Sequence, residues 1–286
     1  MSRRRAARRR LLFGLQTLLG LKRRGFFIPY RYADGLPEAG SLPAYGALER
    51  RFAEAEPEMA ARLSSLERYK DDLSAIGENA APPEPRWGQS WFPGLDAAMA
   101  YVMLREEKPA RVIEVGSGHS TRFLARARRD GGLATEITAI DPAPRADIAR
   151  LDISLQRRTL QEVGETPFAA LEAGDFLLID SSHILMPGSD VDFLLGRILP
   201  GLPPGLFLAF HDIFLPDDYP AAWAWRGYNE QQGVMGLLQG GYDLLFSSHY
   251  ARSRLSENLR SSAVADLPRP DEALESGLWL RRGVSS

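Results

Sequence analysis

Cysteine is absent from all 286 residues. A disulfide framework, a thiolate metal site, an iron–sulfur cluster and a cysteine nucleophile are therefore excluded, and the chemistry must come from oxygen and imidazole groups or from a bound cofactor. Histidine is sparse, with four in the whole chain, so any that gather in one place stand out. No apolar run near the N-terminus is long enough to span a membrane: Leu11–Leu21 has eleven residues, where a helix needs ~20 to cross a bilayer. What is present, 44% hydrophobic and 25% charged residues, is an ordinary globular balance that excludes collagen-like and fully disordered classes. A chain of this length can bury roughly three quarters of the surface its unfolded form exposes.

Acid is missing from the first 24 residues, which carry nine basic groups, and the rest of the chain holds 26 basic against 37 acidic residues. So acidic a body argues against a nucleic-acid partner. A secretory signal also begins with a basic region and a short apolar core, but Lys22-Arg-Arg follows where a small-residue cleavage site belongs, and a cytoplasmic protein is expected. Two readings of the arm stand. It is a basic amphipathic helix lying peripherally on an anionic membrane surface, with Phe26, Phe27 and Tyr30 just beyond, or a charged start leading into a helix that packs on the body.

Three segments are expected: the basic arm over 1–30, a helical extension and proline-rich linker over 31–86, and the main domain over 87–286. Between Ala47 and Ile76 apolar residues recur at threes and fours, the period of a helix, with Pro57 expected to break it. This extension could serve as a lid or as a contact between copies in a homo-oligomer. The proline cluster Ala81–Arg86 marks the boundary. Beyond it, short apolar runs alternate with amphipathic stretches, the pattern of a mostly parallel sheet covered by helices on both faces. The strands are expected at 111–115, 136–140, 153–157, 176–179, 206–210, 242–247 and 278–281, the last returning antiparallel at the edge. Helices are expected at 95–105, 120–129, 191–199 and 221–238, with a short one near Ala146.

In an open α/β sheet, ligands gather outside the carboxyl ends of the strands, and those positions are polar here. After the first strand comes Glu114-Val-Gly-Ser-Gly-His-Ser120, where Gly116 and Gly118 permit a tight turn and close approach of a ligand at a helix start. A dinucleotide fingerprint would place a third glycine at Thr121, and a bare strand-to-helix turn is the plainer reading. Asp141 closes the second strand at the range expected of an acid that accepts from ribose hydroxyls, or it caps the helix that follows Pro142. The fourth strand ends in Asp180-Ser-Ser-His183 and the fifth in His211-Asp212. If those strands are neighbours, four groups converge, and an imidazole beside a carboxylate is suited to proton abstraction near neutral pH. His119, His183 and His211, three of the four histidines, fall at expected strand ends.

Together these motifs resemble the class I S-adenosylmethionine-dependent methyltransferases, over about Trp87 to Arg282. Glu114-Val-Gly-Ser-Gly118 is similar to their first motif and Asp141 to the acid that holds the cofactor ribose. Gly174–His183 followed by Gly205–Ile213 is similar to the branch that methylates hydroxyls of sugars and other small molecules. The resemblance implies a Rossmann-like seven-stranded sheet and S-adenosylmethionine held by Glu114, Gly116, Ser117, Gly118, His119 and Asp141. It implies in-line transfer to a small-molecule or saccharide-like acceptor with His183 as general base and His211 as second candidate. Metal-dependent members hold a divalent ion at positions matched here by Asp180 and Asp212, with His211 in the third place. Magnesium prefers an all-oxygen set, so the imidazole leaves manganese, iron or no metal. The competing functions are a methyltransferase-like binding module without turnover, docked by its basic arm, and a nicotinamide-dependent oxidoreductase, which Thr121 disfavours. The aromatic and acidic segment Phe214–Glu230, with Tyr219, Trp223, Trp225 and Tyr228, is suited to stacking on a sugar, or else it packs on the sheet.

Overall fold

Near-continuous apolar runs become strands because both faces of the sheet are covered. In the computed structural model, which describes residues 3–283 with side chains from residue 7, the strands are β1 (Arg111–Val115), β2 (Glu136–Ile140), β3 (Ser154–Gln156), β4 (Phe176–Ile179), β5 (Phe207–Phe210), β6 (Tyr242–Ser247) and β7 (Leu278–Arg282). They form one sheet in the order β3-β2-β1-β4-β5-β7-β6. Pairs from β3 through to β5 are parallel, and β7 runs antiparallel to both β5 and β6, second from that edge. The fold is thus a Rossmann-like α/β sheet with an antiparallel strand. Strands β4 and β5 pair in register, Ile179 opposite Phe210, which sets Asp180 beside His211.

The helices are α1 (Arg3–Leu18), α2 (Gly46–Glu54), α3 (Glu56–Ser65), α4 (Lys70–Ser74), α5 (Gly94–Glu107), α6 (His119–Asp130), α7 (Leu160–Val163), α8 (Asp190–Phe193), α9 (Glu230–Leu238), α10 (Ser248–Arg254) and α11 (Ser256–Arg260). The helical extension breaks at Ala55, with Pro57 accommodated in the first turn of α3, where its missing N–H costs nothing. Helix α5 is buried all round from Gly94 to Leu104, as a helix with apolar residues on every face must be. Trp87, fully buried at the end of the linker, packs its ring 4.9 Å from Phe123 of α6 and donates its indole N–H to the Leu73 carbonyl.

Three expectations are corrected. The single helix over 221–238 is divided: Ala221–Arg226 is a 3-10 turn, Gly227 takes φ 67°, and α9 starts only at Glu230. No helix forms near Ala146, where the chain is a series of turns with Ile148 its buried anchor. The stretch 251–275, where no helix was expected, contains the last four residues of α10 and all of α11.

The chain divides into two compact units. One comprises the chain up to Leu42 with Tyr219–Gly227, and the other Pro43–Asp218 with the chain from Tyr228 onward. The sheet and every group of the site below belong to the second unit.

Candidate active site

The loop after β1 is built around Gly116. Its φ is 83°, and a Cβ there would lie 1.9 Å from the carbonyl oxygen of Asp180, so no other residue fits. This close approach places the glycine loop directly against the end of β4. Ser117 donates its backbone N–H (2.9 Å) and its hydroxyl (3.0 Å) to Asp141 Oδ2, while Asp141 Oδ1 accepts from the Ala143 N–H at 2.7 Å. The carboxylate expected to meet a ribose therefore also ties the ends of β1 and β2 together. Thr121, on the first turn of α6, accepts from the Gly118 N–H at 2.9 Å and donates to Glu114 Oε2 at 2.5 Å. The residue that breaks the dinucleotide fingerprint thus joins the loop to the strand.

Glu114 is fully buried and its second oxygen, Oε1, has no hydrogen-bond partner within the chain. Burial, reinforced by the charges of Asp180 and Asp141, pushes its carboxyl up to about 8 against the side-chain interactions of Ser120 and Thr121. A buried acceptor left open beside a glycine turn fits a ligand that donates there, as the ammonium of S-adenosylmethionine can. His119 opens α6, and its ring is pushed down to about 4 by burial and by Arg122 and Arg86. It stays neutral near pH 7 and takes no part in the cluster formed by the other two strand-end histidines.

That cluster lies at the carboxyl ends of β4 and β5. His183, buried and held at φ 60°, places Nδ1 2.8 Å from Glu230 Oε2 and Nε2 3.3 Å from Asp180 Oδ1 and 3.4 Å from Asp212 Oδ2. The ring of Tyr228 lies against it at 4.6 Å between centroids. His211 directs Nε2 to Asp96 Oδ2 at 3.2 Å and Nδ1 to Asp180 Oδ1 and Asp212 Oδ1 at 3.4 and 3.5 Å. Burial alone would lower both imidazoles, but the surrounding carboxylates raise them well above the ordinary histidine value. Asp180 moves in the opposite sense: burial works against its charge, and His211 and His183 more than offset it. Glu230 is raised by burial, partly countered by His183.

Asp180, His183 and Asp212 each offer one donor atom within 4.8 Å of the others, so the convergent trio contains His183 where His211 had been expected. With Nδ1 directed at Glu230, His183 has the carboxylate-oriented geometry common to metal-bound imidazoles. Two carboxylates and an imidazole suit manganese, iron or zinc better than magnesium.

Two of these groups were not singled out from sequence for the roles they take. Asp96, one acid in the apolar run of α5, accepts from the Ser276 and Gly277 N–H groups as well as facing His211. A buried carboxylate in an otherwise apolar helix is the signal that could have found it. Glu230, grouped in the sequence with substrate-binding residues, instead buttresses His183. Two other acidic-segment residues are structural: Asp217 pairs with His249 at 2.6 Å and with Arg254, and Phe214 is buried with its ring 5.3 Å from His249.

Residues 113–213 match a family model described as a methyltransferase domain. That stretch is similar to a methyltransferase domain. The match spans β1 to the end of β5, and so includes the glycine loop, Asp141, Asp180, His183, His211 and Asp212. Solved structures similar to this chain include the S-adenosylhomocysteine-bound methyltransferase PaMTH1 of Podospora anserina, at 14% identity over 91% of this chain and 100% of that one with a TM-score of 0.43. Another is the O-methyltransferase from Bacillus cereus in complex with S-adenosylhomocysteine, at 13% identity over 78% and 90% with a TM-score of 0.39. A third is TomG from Streptomyces achromogenes, an O-methyltransferase involved in tomaymycin synthesis, in complex with S-adenosylmethionine, at 14% identity over 78% and 90% with a TM-score of 0.40. No curated protein matches the chain.

Proposed function

We propose that this methyltransferase moves the methyl group of S-adenosylmethionine to a hydroxyl of a small, polar, saccharide-like acceptor. The observation that carries the reading is the contact of the Gly116 turn with the Asp180 backbone, because it sets a cofactor loop beside a buried cluster of carboxylates and imidazoles. Glu114, Gly116, Ser117, Gly118 and Asp141 would hold the cofactor, with His119 at the start of α6 beside them. The cofactor supplies a methyl group on a sulfonium, an electrophile that needs alignment and a deprotonated acceptor. Alignment falls to the rigid ends of β4 and β5.

Deprotonation falls to His183, whose orientation is fixed on both sides by Glu230 and Tyr228. Asp180 and Asp212 face its Nε2 and are placed to receive an acceptor hydroxyl there, with His211 held ready behind them by Asp96. In the free chain those carboxylates keep the imidazole protonated, so it becomes a base once positive charge has arrived between them. Asp180 and Asp212 would also hold a divalent cation, which would supply that charge and polarise the hydroxyl, leaving His183 Nε2 free to take the proton.

The test is transfer of a labelled methyl group to a panel of sugars and hydroxylated small molecules, before and after chelation. His183→Ala should lower kcat roughly a hundred- to ten-thousand-fold, the usual contribution of a general base, with cofactor affinity little changed. Normal turnover by that variant would remove His183 from the mechanism. Activity unchanged by exhaustive chelation would remove the cation.

A further inference from the structure

Helix α1 and the turn after it contribute no residue to the site described above, yet among the described residues they concentrate two properties. The first is charge: residues 1–24 hold nine basic groups and no acid, the first acid being Asp34. The second is exposed apolar surface. Among the described residues, thirteen of the sixteen exposed large apolar side chains lie between Leu11 and Leu42.

The local fold brings these two properties together. Gly20, at φ 68°, ends the helix in the left-handed conformation that glycine adopts readily. The N–H groups of Leu21 and Lys22 then return to the Gln16 carbonyl, and the Arg24 N–H reaches Thr17 Oγ1 at 2.9 Å. The second basic cluster is thereby folded back along the last turns of the helix. Arg24 and Arg9 both lie over the Phe13 ring, 5.2 and 5.0 Å from its centre, so that basic groups from either end flank one apolar segment. Leu11, Leu15, Leu18 and Leu21 remain open to solvent, the last 75% exposed.

We propose that this arm docks the protein on the surface of an anionic lipid bilayer, lying in the interface with its leucines among the acyl chains and its arginines at the headgroups. Lipid is favoured over a soluble polyanion because a polyanion in water gives the leucines no apolar phase, whereas a bilayer accommodates both properties at one boundary. Crossing is excluded, since no described helix is long and apolar enough. Docking is independent of the proposed methyl transfer, and it would confine the enzyme to acceptors at or near a membrane.

The experiment is flotation of the full-length protein with vesicles of phosphatidylcholine alone and of equimolar phosphatidylcholine and phosphatidylglycerol, at low and high salt. The expected result is association with the anionic vesicles, weaker by roughly tenfold or more on neutral ones and falling with salt. Two triple variants, Arg8→Glu with Arg9→Glu and Arg10→Glu, and Leu11→Ser with Leu15→Ser and Leu18→Ser, should each abolish it. Their thermal unfolding should match the wild type, which separates lost docking from lost folding. Failure to float, equal binding to both vesicles, or retained binding by either variant overturns the proposal. So does capture by soluble polyglutamate that the leucine variant retains, which would make the arm a polyanion site. Self-association without lipid that the leucine variant abolishes would make it an interface between copies.

Discussion

Glu114 is a carboxyl group that folding has moved into a place where charge is costly. Its folded value of about 8 lies above the ordinary value of 4.5, so the folded state holds the proton more tightly than the unfolded chain. The stability this contributes is fully present below pH 4.5 and is lost as pH rises through 8, an effect on the order of 5 kcal/mol across that window. Glu114→Gln should remove the slope, so the difference in unfolding free energy between wild type and variant should change between pH 5 and pH 8, as measured by denaturant titration at each pH. Gly116 makes a sterically sharper case. Alanine there would drive a Cβ into the Asp180 carbonyl, and Gly116→Ala should cost more than about 2 kcal/mol and abolish cofactor binding. Retained stability and binding in that variant would mean that the loop and β4 are not in contact. Glu230→Gln keeps a hydrogen-bonding group beside His183 but removes the charge that orients it, and kcat should fall roughly tenfold to a hundredfold, with cofactor affinity unchanged in the same preparation.

Between elements, the site depends on a carboxylate that touches three of them. Asp96 of α5 accepts from the chain just before β7 and from His211 after β5. Asp96→Ala would leave two buried N–H groups and the Nε2 of His211 without that partner. It should cost about 3–5 kcal/mol. Element positions were largely legible from sequence: β1, β2, β4 and β6 fall where the apolar runs place them, because a strand covered on both faces shows up as an uninterrupted apolar run. The helix over 221–238 was misread because its apolar period continues through Gly227, whose left-handed backbone ends one turn and lets Tyr228 approach His183. Local pattern carries no information on which unit a segment joins. The cluster was legible in its strand-end members, which are fixed by topology. Asp96 and Glu230 arrive from helices distant in sequence, and only packing reveals them.

At the scale of the whole molecule, an acidic body that holds the candidate site and a basic, apolar arm fall in separate units, and the proposed transfer and the proposed docking can be tested separately. The four histidines divide by place: two lie in the buried cluster, one opens α6 after the glycine loop, and His249 pairs with Asp217. The account stands most directly on cofactor recognition, and calorimetric titration of the purified chain with S-adenosylmethionine tests it. One-to-one saturable binding is expected, weakened at least about tenfold by Asp141→Ala through the lost ribose and loop contacts, with no response to a nicotinamide dinucleotide. No saturable heat at millimolar S-adenosylmethionine, or saturable binding of the nicotinamide dinucleotide instead, would contradict it.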